Sequence, residues 1–250
     1  MTKISGLGEN FYVDGYDVSG DVGSITNCSC PMTPLDVTAI NASAYERIGG
    51  QRDGVMGWET WFNPAALAQH VVLSTLPTTD RLVSWTLGTA IGSHAASMNA
   101  KQINYDMTRE QSGSLHFSVS AMANGYAMEW GQLATAGVRT DTEATNGSPL
   151  DSGGASTTFG LQAYLHVFEF TGTDVTVKLQ ESSNNGADAY ADVTGGGFTA
   201  ITADPTSQRI ATAANLTVER YLRVVTTTSA GFTSLSFAVN VVRNTLAPVF

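Results

Sequence analysis

The 250-residue sequence is short of charge: only 14% of its residues are Asp, Glu, Lys or Arg. Cations are the scarcer sign, with 12 Lys and Arg against 22 Asp and Glu and a net charge of -10. Direct binding to nucleic acid, which needs clustered Lys and Arg, is thereby disfavoured. Long apolar runs are also missing. None approaches the ~20 residues a membrane-spanning helix needs, so no membrane partner is expected. The opening Met1-Thr2-Lys3-Ile4-Ser5 has no apolar core, and no secretory signal is expected. The Asn-x-Ser/Thr matches at Asn27, Asn41, Asn146 and Asn215 are then chance matches in a chain rich in Ser and Thr. Cysteine is nearly absent. Cys28 and Cys30 are too close in sequence for an unstrained internal disulfide, and a lone Cys-x-Cys lacks the second ligand pair of a zinc site. They are read as two reduced thiols.

The motifs of catalysis are missing too. There is no Gly-x-Ser-x-Gly elbow. The four histidines, His70, His94, His116 and His166, stand in four separate elements. Asp14, Asp17 and Asp21 lack the spacing of a calcium loop and are read as turn residues. Gly49-Gly50 and Gly195-Gly196-Gly197 are read as turns, since a phosphate loop would sit between a strand and a helix. A glycosidase would need two carboxylates across a cleft, and sequence selects no pair. No catalytic residue, metal or cofactor is expected, and the chain is read as non-enzymatic.

Thr, Ser, Ala, Gly and Val dominate what is present. This is the composition of a mainly β protein with many turns. At this length the chain has room for one large or two modest domains. The central stretch runs from Leu35 to Phe62. Residues 35–40 read as one strand, 41–53 as a long loop, and 54–62 as a returning strand with Met56, Trp58, Thr60 and Phe62 on one face. A loop of that length in a compact domain is usually functional or disordered. Asn63 and Pro64 then begin a helix predicted to run to Leu76, ahead of Pro77. Strands are predicted over Arg81–Leu87, Ala95–Tyr105 and Ser114–Asn124, the last two as a hairpin with its polar tip at Asp106–Gly113. Residues 135–158 are nearly all small and polar and read as a linker. Beyond it, strands at Phe159–Phe170, Asp174–Gln180, Leu216–Thr227 and Ser234–Arg243, with weaker ones near Ala189–Val193, Phe198–Ala203 and Arg209–Ala213, indicate a jelly-roll-like β-sandwich.

Three phrases carry a resemblance: Val13-Asp14-Gly15-Tyr16-Asp17-Val18-Ser19-Gly20-Asp21, Glu46-Arg47-Ile48-Gly49-Gly50-Gln51-Arg52-Asp53-Gly54, and Lys101-Gln102-Ile103-Asn104-Tyr105-Asp106. Together with the order of elements in the first half, they resemble the major tail (tail tube) proteins of long-tailed, non-contractile bacteriophages, those infecting actinobacteria most of all. The resemblance implies a tail tube domain over residues 1–134, with two packed sheets and one short helix, and an outer β-sandwich over 159–250. It implies rings, usually hexameric, whose sheets join edge to edge and which stack into a tube through which genomic DNA passes without specific binding. Tail terminator and tape-measure proteins would be the other partners. The protein would reside in the virion tail after assembly in the host cytoplasm. The loop 41–53 looks like the family's stacking loop, with Tyr45, Glu46, Arg47, Arg52 and Asp53 as contacts between subunits or rings. Asp106 and Glu110 are candidate lumen-facing residues. The acidic balance suits a lumen that repels phosphates. The alternative is a carbohydrate-binding or capsid-decorating module, in which Tyr164, Tyr190, Phe198, Tyr221 or Phe232 of the second half would stack sugars.

Overall fold

A computed structural model describes residues 5–247. The start of the chain, from which the absence of a signal was read, lies largely outside the described residues. The first half builds β1 (Asn10–Val13), β2 (Tyr16–Asp17), β3 (Val22–Ser29), β4 (Met32–Asp36), β5 (Arg47–Arg52), β6 (Val55–Trp61), the helix α1 (Gln69–Leu73), β7 (Arg81–Thr86), β8 (His94–Arg109), β9 (Leu115–Ala123) and β10 (Glu129–Leu133). The second half builds β11 (Arg139–Asp141), β12 (Leu150–Asp151), β13 (Leu161–Thr171), β14 (Val175–Ser182), β15 (Ala191–Gly197), β16 (Thr206–Ala211), β17 (Tyr221–Thr228) and β18 (Ser234–Arg243). The chain is mainly β, with α1 the one α-helix among the described residues, and no described helix is long and apolar enough to cross a membrane.

Each half packs two sheets around its own apolar cluster. In the first, Phe11, Val13, Val83, Ala96 and Met98 of one layer meet Met56, Trp58, Phe117 and Val119 of the other, with Val72 and Leu73 of α1 alongside. Period-2 alternation produces this: β9 buries Phe117, Val119 and Ala121 and leaves Ser118 and Ser120 half-exposed. The sixteen-residue β8 belongs to both layers. Its start pairs with β7 and β10, its end pairs with β9, and an irregularity between Gln102 and Asn104 marks the change. In the second half, Leu161, Ala163, Leu165 and Val167 of β13 and Phe237, Val239 and Val241 of β18 face Val175, Val177, Leu179, Leu222 and Val224.

Several expectations are corrected. The strand predicted over 35–40 ends at Asp36, and β5 occupies the later part of the predicted loop, so β4 and β5 form a separate two-stranded hairpin. Gly49 and Gly50 sit inside β5 rather than in a turn. A Cβ on Gly49 would overlap Met32 Sδ, so the absence of a side chain lets β4 cross closely. The glycines 195–197 likewise belong to β15. The helix predicted from Pro64 to Leu76 has only five residues, because the Asp21 carboxylate accepts from Gln69 N at 3.1 Å and from Asn63 Nδ2 at 2.8 Å. Asn63 Oδ1 still accepts from Ala65 N at 3.1 Å, as its predicted capping role requires, but the helix itself starts later, where Asp21 takes the Gln69 N–H. The segment Phe198–Ala203 forms only an isolated bridge at Ile201.

The segment read as a linker is packed. β11 pairs with β18, β12 pairs with β17, and Thr135, Asp141 and Leu150 are buried. Arg139 holds both Asp141 oxygens, at 2.8 and 2.6 Å, and donates to Val224 O. Small polar residues therefore line a connector that is hydrogen-bonded along its length, a state composition does not distinguish from an open linker.

The two halves meet across a polar seam. β10 pairs with both β8 and β18, which makes one continuous sheet, and the back faces of that sheet come together. Tyr12, Leu82, Ser84 and Ser97 of the first half face Tyr164, His166, Asn240 and Val242 of the second. Gly15, at φ 83°, fits because a Cβ there would lie 2.5 Å from Thr206 O and 2.6 Å from Val167 O.

Candidate assembly surface

Three features of the first half lie open. The first is the β4–β5 hairpin. All five residues of β4 and five of six in β5 are exposed, and at its tip Ile40 is fully exposed, at 107% of its reference area. Met32, Leu35, Val37, Tyr45 and Ile48 add further exposed apolar surface. An isolated two-stranded hairpin is marginally stable in water. Here local bonds hold it: Thr38 N and Oγ1 both donate to Asp36 Oδ1, at 2.9 and 2.5 Å, and Glu46 N donates to Thr38 Oγ1 at 2.9 Å. Those Thr38 bonds hold the Asp36 carboxyl below the usual carboxylate range.

The predicted contact residues lie on this hairpin and just after it. Arg47 stacks over the Tyr45 ring at 4.7 Å. Glu46 caps the base of the loop through its backbone, and Arg52 points to Cys30 Sγ at 3.9 Å. Asp53, half-buried, accepts from its own neighbour Gly54 N at 2.7 Å. Among the described residues none of Glu46, Arg47, Arg52 and Asp53 enters an ion pair within the chain. Their charges are free for contacts outside it. Cys28 abuts Met128 Sδ at 3.5 Å, and burial, with Cys30 beside it, pushes its thiol up to about 11.

The second feature is the outward face of the layer β3-β6-β9-β8. Register places Glu59, Ser118 and Asp106 side by side across three strands, with Asn104 beside Ser120 and Thr108 beside His116 and Trp61. Asp106 therefore lies within β8, not in the hairpin tip where it was expected, and accepts from Asn104 Nδ2 at 2.7 Å. Glu110 does occupy the turn, where its backbone bonds to Ser114 and Gly113. Glu59 is the carboxylate that sequence reading missed. Its strand alternation with buried Trp58 and Thr60 was the available signal. Glu59, Trp61 and His116 line a shallow cleft of about 150 Å³ with Gly23 and Ser24.

The third feature is the pair of open edges on that layer. Among the described residues β3 pairs only with β6, and residues 101–109 of β8 pair only with β9. Unpaired N–H and C=O groups along such edges are templates for another chain.

The geometry of catalysis is different. One Ser–His hydrogen bond is present among the described residues, between Ser84 Oγ and His166 Nε2 at 2.9 Å. Gly15 N donates to His166 Nδ1, so Nε2 carries the proton and donates to the serine. That is the reverse of a base that activates a nucleophile. The pair is fully buried in the seam, and burial lowers the His166 pKa to about 4. Of the second-half aromatics, Tyr164 and Phe198 are buried, Phe232 packs against the core, and Arg223 and Arg220 lie over the Tyr190 and Tyr221 rings.

No family model matches the chain, and no curated protein matches it. Among solved structures it is similar to the Dit protein of phage SPP1, described as a paradigm of the hub adsorption apparatus in phages infecting Gram-positive bacteria. The identity is 10%, over 93% of this chain and 98% of that one, with a TM-score of 0.35. It is also similar to a chain of the phage p2 baseplate in its activated conformation with strontium, at 9% identity over 94% and 98%, with a TM-score of 0.35. Scores of this size fall below those of a shared fold.

Proposed function

We propose that the chain is a structural subunit of a phage tail that assembles with copies of itself through its first half, as a tail tube protein does. The observation that carries this reading is the placement of apolar surface. Among the described residues, all the exposed large hydrophobic side chains except Val138 and Leu246 fall in residues 5–134. Contiguous exposed apolar surface marks a protein contact. The β4–β5 hairpin reaches out with Ile40 and Tyr45, and the free charges of Arg47, Arg52 and Glu46 flank them. The β3 edge and the distal β8 edge differ from each other. A contact between two different patches is head-to-tail and closes into a ring when the rotation allows. The polar face with Glu59 and Asp106 then lines the inside of the ring, where acidic groups repel a passing polyanion. The resemblance of the three sequence phrases points to the same role.

Electron microscopy of the concentrated protein tests the reading, with rings or stacked tubes as the expected result. The variant carrying Arg47→Glu and Arg52→Glu should keep its fold by circular dichroism and form single rings without stacks. Stacks as abundant as those of the wild type would remove the hairpin from the contact.

A further inference from the structure

The α1 segment is built unlike the rest of the chain. Among the described residues four non-glycine residues have positive φ. Two are Asp14 and Asn185, types that tolerate the left-handed region. The other two are Leu67 at φ 65° and Leu76 at φ 45°, and they bracket α1. Leucine is strained there, and such strain persists only where the surroundings impose it. Buried polar groups without partners gather at the same place. Gln69 is fully buried with neither Nε2 nor Oε1 bonded, and Trp58 Nε1 and Gln102 Oε1 are also unpartnered. Gln102 Nε2 donates to Leu73 O, which ties this group to the helix. Leu67, Val71 and Leu76 are about half-exposed, and residues 62–78 carry no Asp, Glu, Lys or Arg.

The sequence of the segment prefers another state. Asn63-Pro64 opens and Pro77 closes a twelve-residue helical pattern. Gln69, Val72, Leu73 and Leu76 fall at i, i+3, i+4 and i+7, the stripe of a core-facing helix, yet Leu76 is turned out. The Asp21 carboxylate holds the short form by taking the Gln69 N–H that a longer helix would give to Ala65 O.

We infer that residues 65–76 are a two-state element: a strained five-residue helix in the free chain, which extends to the full predicted helix when a second copy of the chain covers Leu67 and Val71. Extension moves Leu67 and Leu76 out of the left-handed region, exchanges the Asp21 cap for a backbone bond, and turns Leu76 toward Val72 and Leu73. A subunit then becomes fully competent only in contact with another, which delays premature polymerisation. This rests on the self-assembly proposed above.

The test compares two double variants that remove the same side chains. Leu67→Gly with Leu76→Gly favours the left-handed short form, and Leu67→Ala with Leu76→Ala favours the helix. The glycine variant should remain a folded monomer and assemble about tenfold more slowly than the alanine variant. In the extended helix Leu67 N is the first amide with an intrahelical acceptor, Asn63 O, so hydrogen exchange of the wild type should show the Leu67 amide gaining about tenfold protection on assembly. Equal rates for the two variants, or unchanged exchange at Leu67 in assembled wild type, would overturn the inference while leaving self-assembly standing. A wild type that never assembles removes the trigger and overturns both. If the glycine variant fails to fold, single Leu67→Gly and Leu67→Ala variants and the wild-type exchange decide the matter in the same way.

Discussion

The two halves of this chain are built from the same strands and turns, yet they treat their surfaces in opposite ways. The second half closes on itself. Leu161, Leu165, Val177, Leu179, Phe237 and Val239 have no exposure, and outward-facing aromatics such as Tyr190 are covered by a neighbouring Arg223. The first half has a core as tight, around Trp58 and Met98, but leaves Ile40, Tyr45, Trp61, Leu67 and Met107 in water. The difference teaches where partners are to be sought. A folded core satisfies a sheet's inner face only, and an edge or arm left open is completed from outside.

The largest expected effect comes from the cores, where the halves should behave alike. Trp58→Ala and Phe237→Ala should each cost about 3–5 kcal/mol in denaturant unfolding. Because β10 pairs with both β8 and β18, both substitutions should shift one shared transition. Two separate transitions would show that the seam does not couple the halves.

The seam itself gives the next effect. His166 is held near pKa 4 by burial, with the Asp14 charge opposing, while the unfolded chain titrates near 6.5. The unfolded state therefore takes up the proton first as pH falls. His166's contribution is complete above pH 6.5 and is lost between 6.5 and 4. At roughly 1.4 kcal/mol per unit this amounts to as much as about 3 kcal/mol. Urea midpoints measured at pH 7 and pH 4.5 should show the drop, and His166→Asn should flatten it. A wild-type midpoint that does not move across this window would place the unfolding elsewhere than the seam.

At the assembly surface the halves should part. Leu67→Gly should raise the stability of the free chain by about 1 kcal/mol, by relieving a left-handed leucine. Thermal melts of dilute protein measure this. The smallest expected effect on stability is that of Ile40→Asp, below about 0.5 kcal/mol because Ile40 is fully exposed. That same change should abolish assembly in light scattering, whereas Tyr190→Ser in the second half should leave assembly intact.

Much of this fold was legible in the sequence. Strand alternation located β6, β9 and β14, where one face is mainly buried and period 2 writes that burial into the residue order, while β7, β13 and β18, buried on both faces, were legible as runs of strand-forming residues bounded by turn signals. What was missed depended on distant partners. The length of α1 was set by Asp21, 48 residues before Gln69, and the order of the segment 135–158 by pairing to β17 and β18. β5 was hidden by Gly49-Gly50, which signal a turn unless a close neighbour needs their missing side chains. Of the surface, the charged residues of the hairpin could be read from Glu46, Arg47 and Arg52. Alternation marked Glu59 as outward-facing, but only register showed which of the 22 acids it sits with, beside Ser118 and Asp106.

The central claim is that the first half is an assembly surface, and the mass of the full chain in solution tests it most directly. In sedimentation velocity over a rising concentration series, the account predicts discrete multiples of 26.3 kDa that grow at the expense of the monomer, and their absence in Ile40→Asp. A single 26.3 kDa species at the highest concentration reached would contradict it.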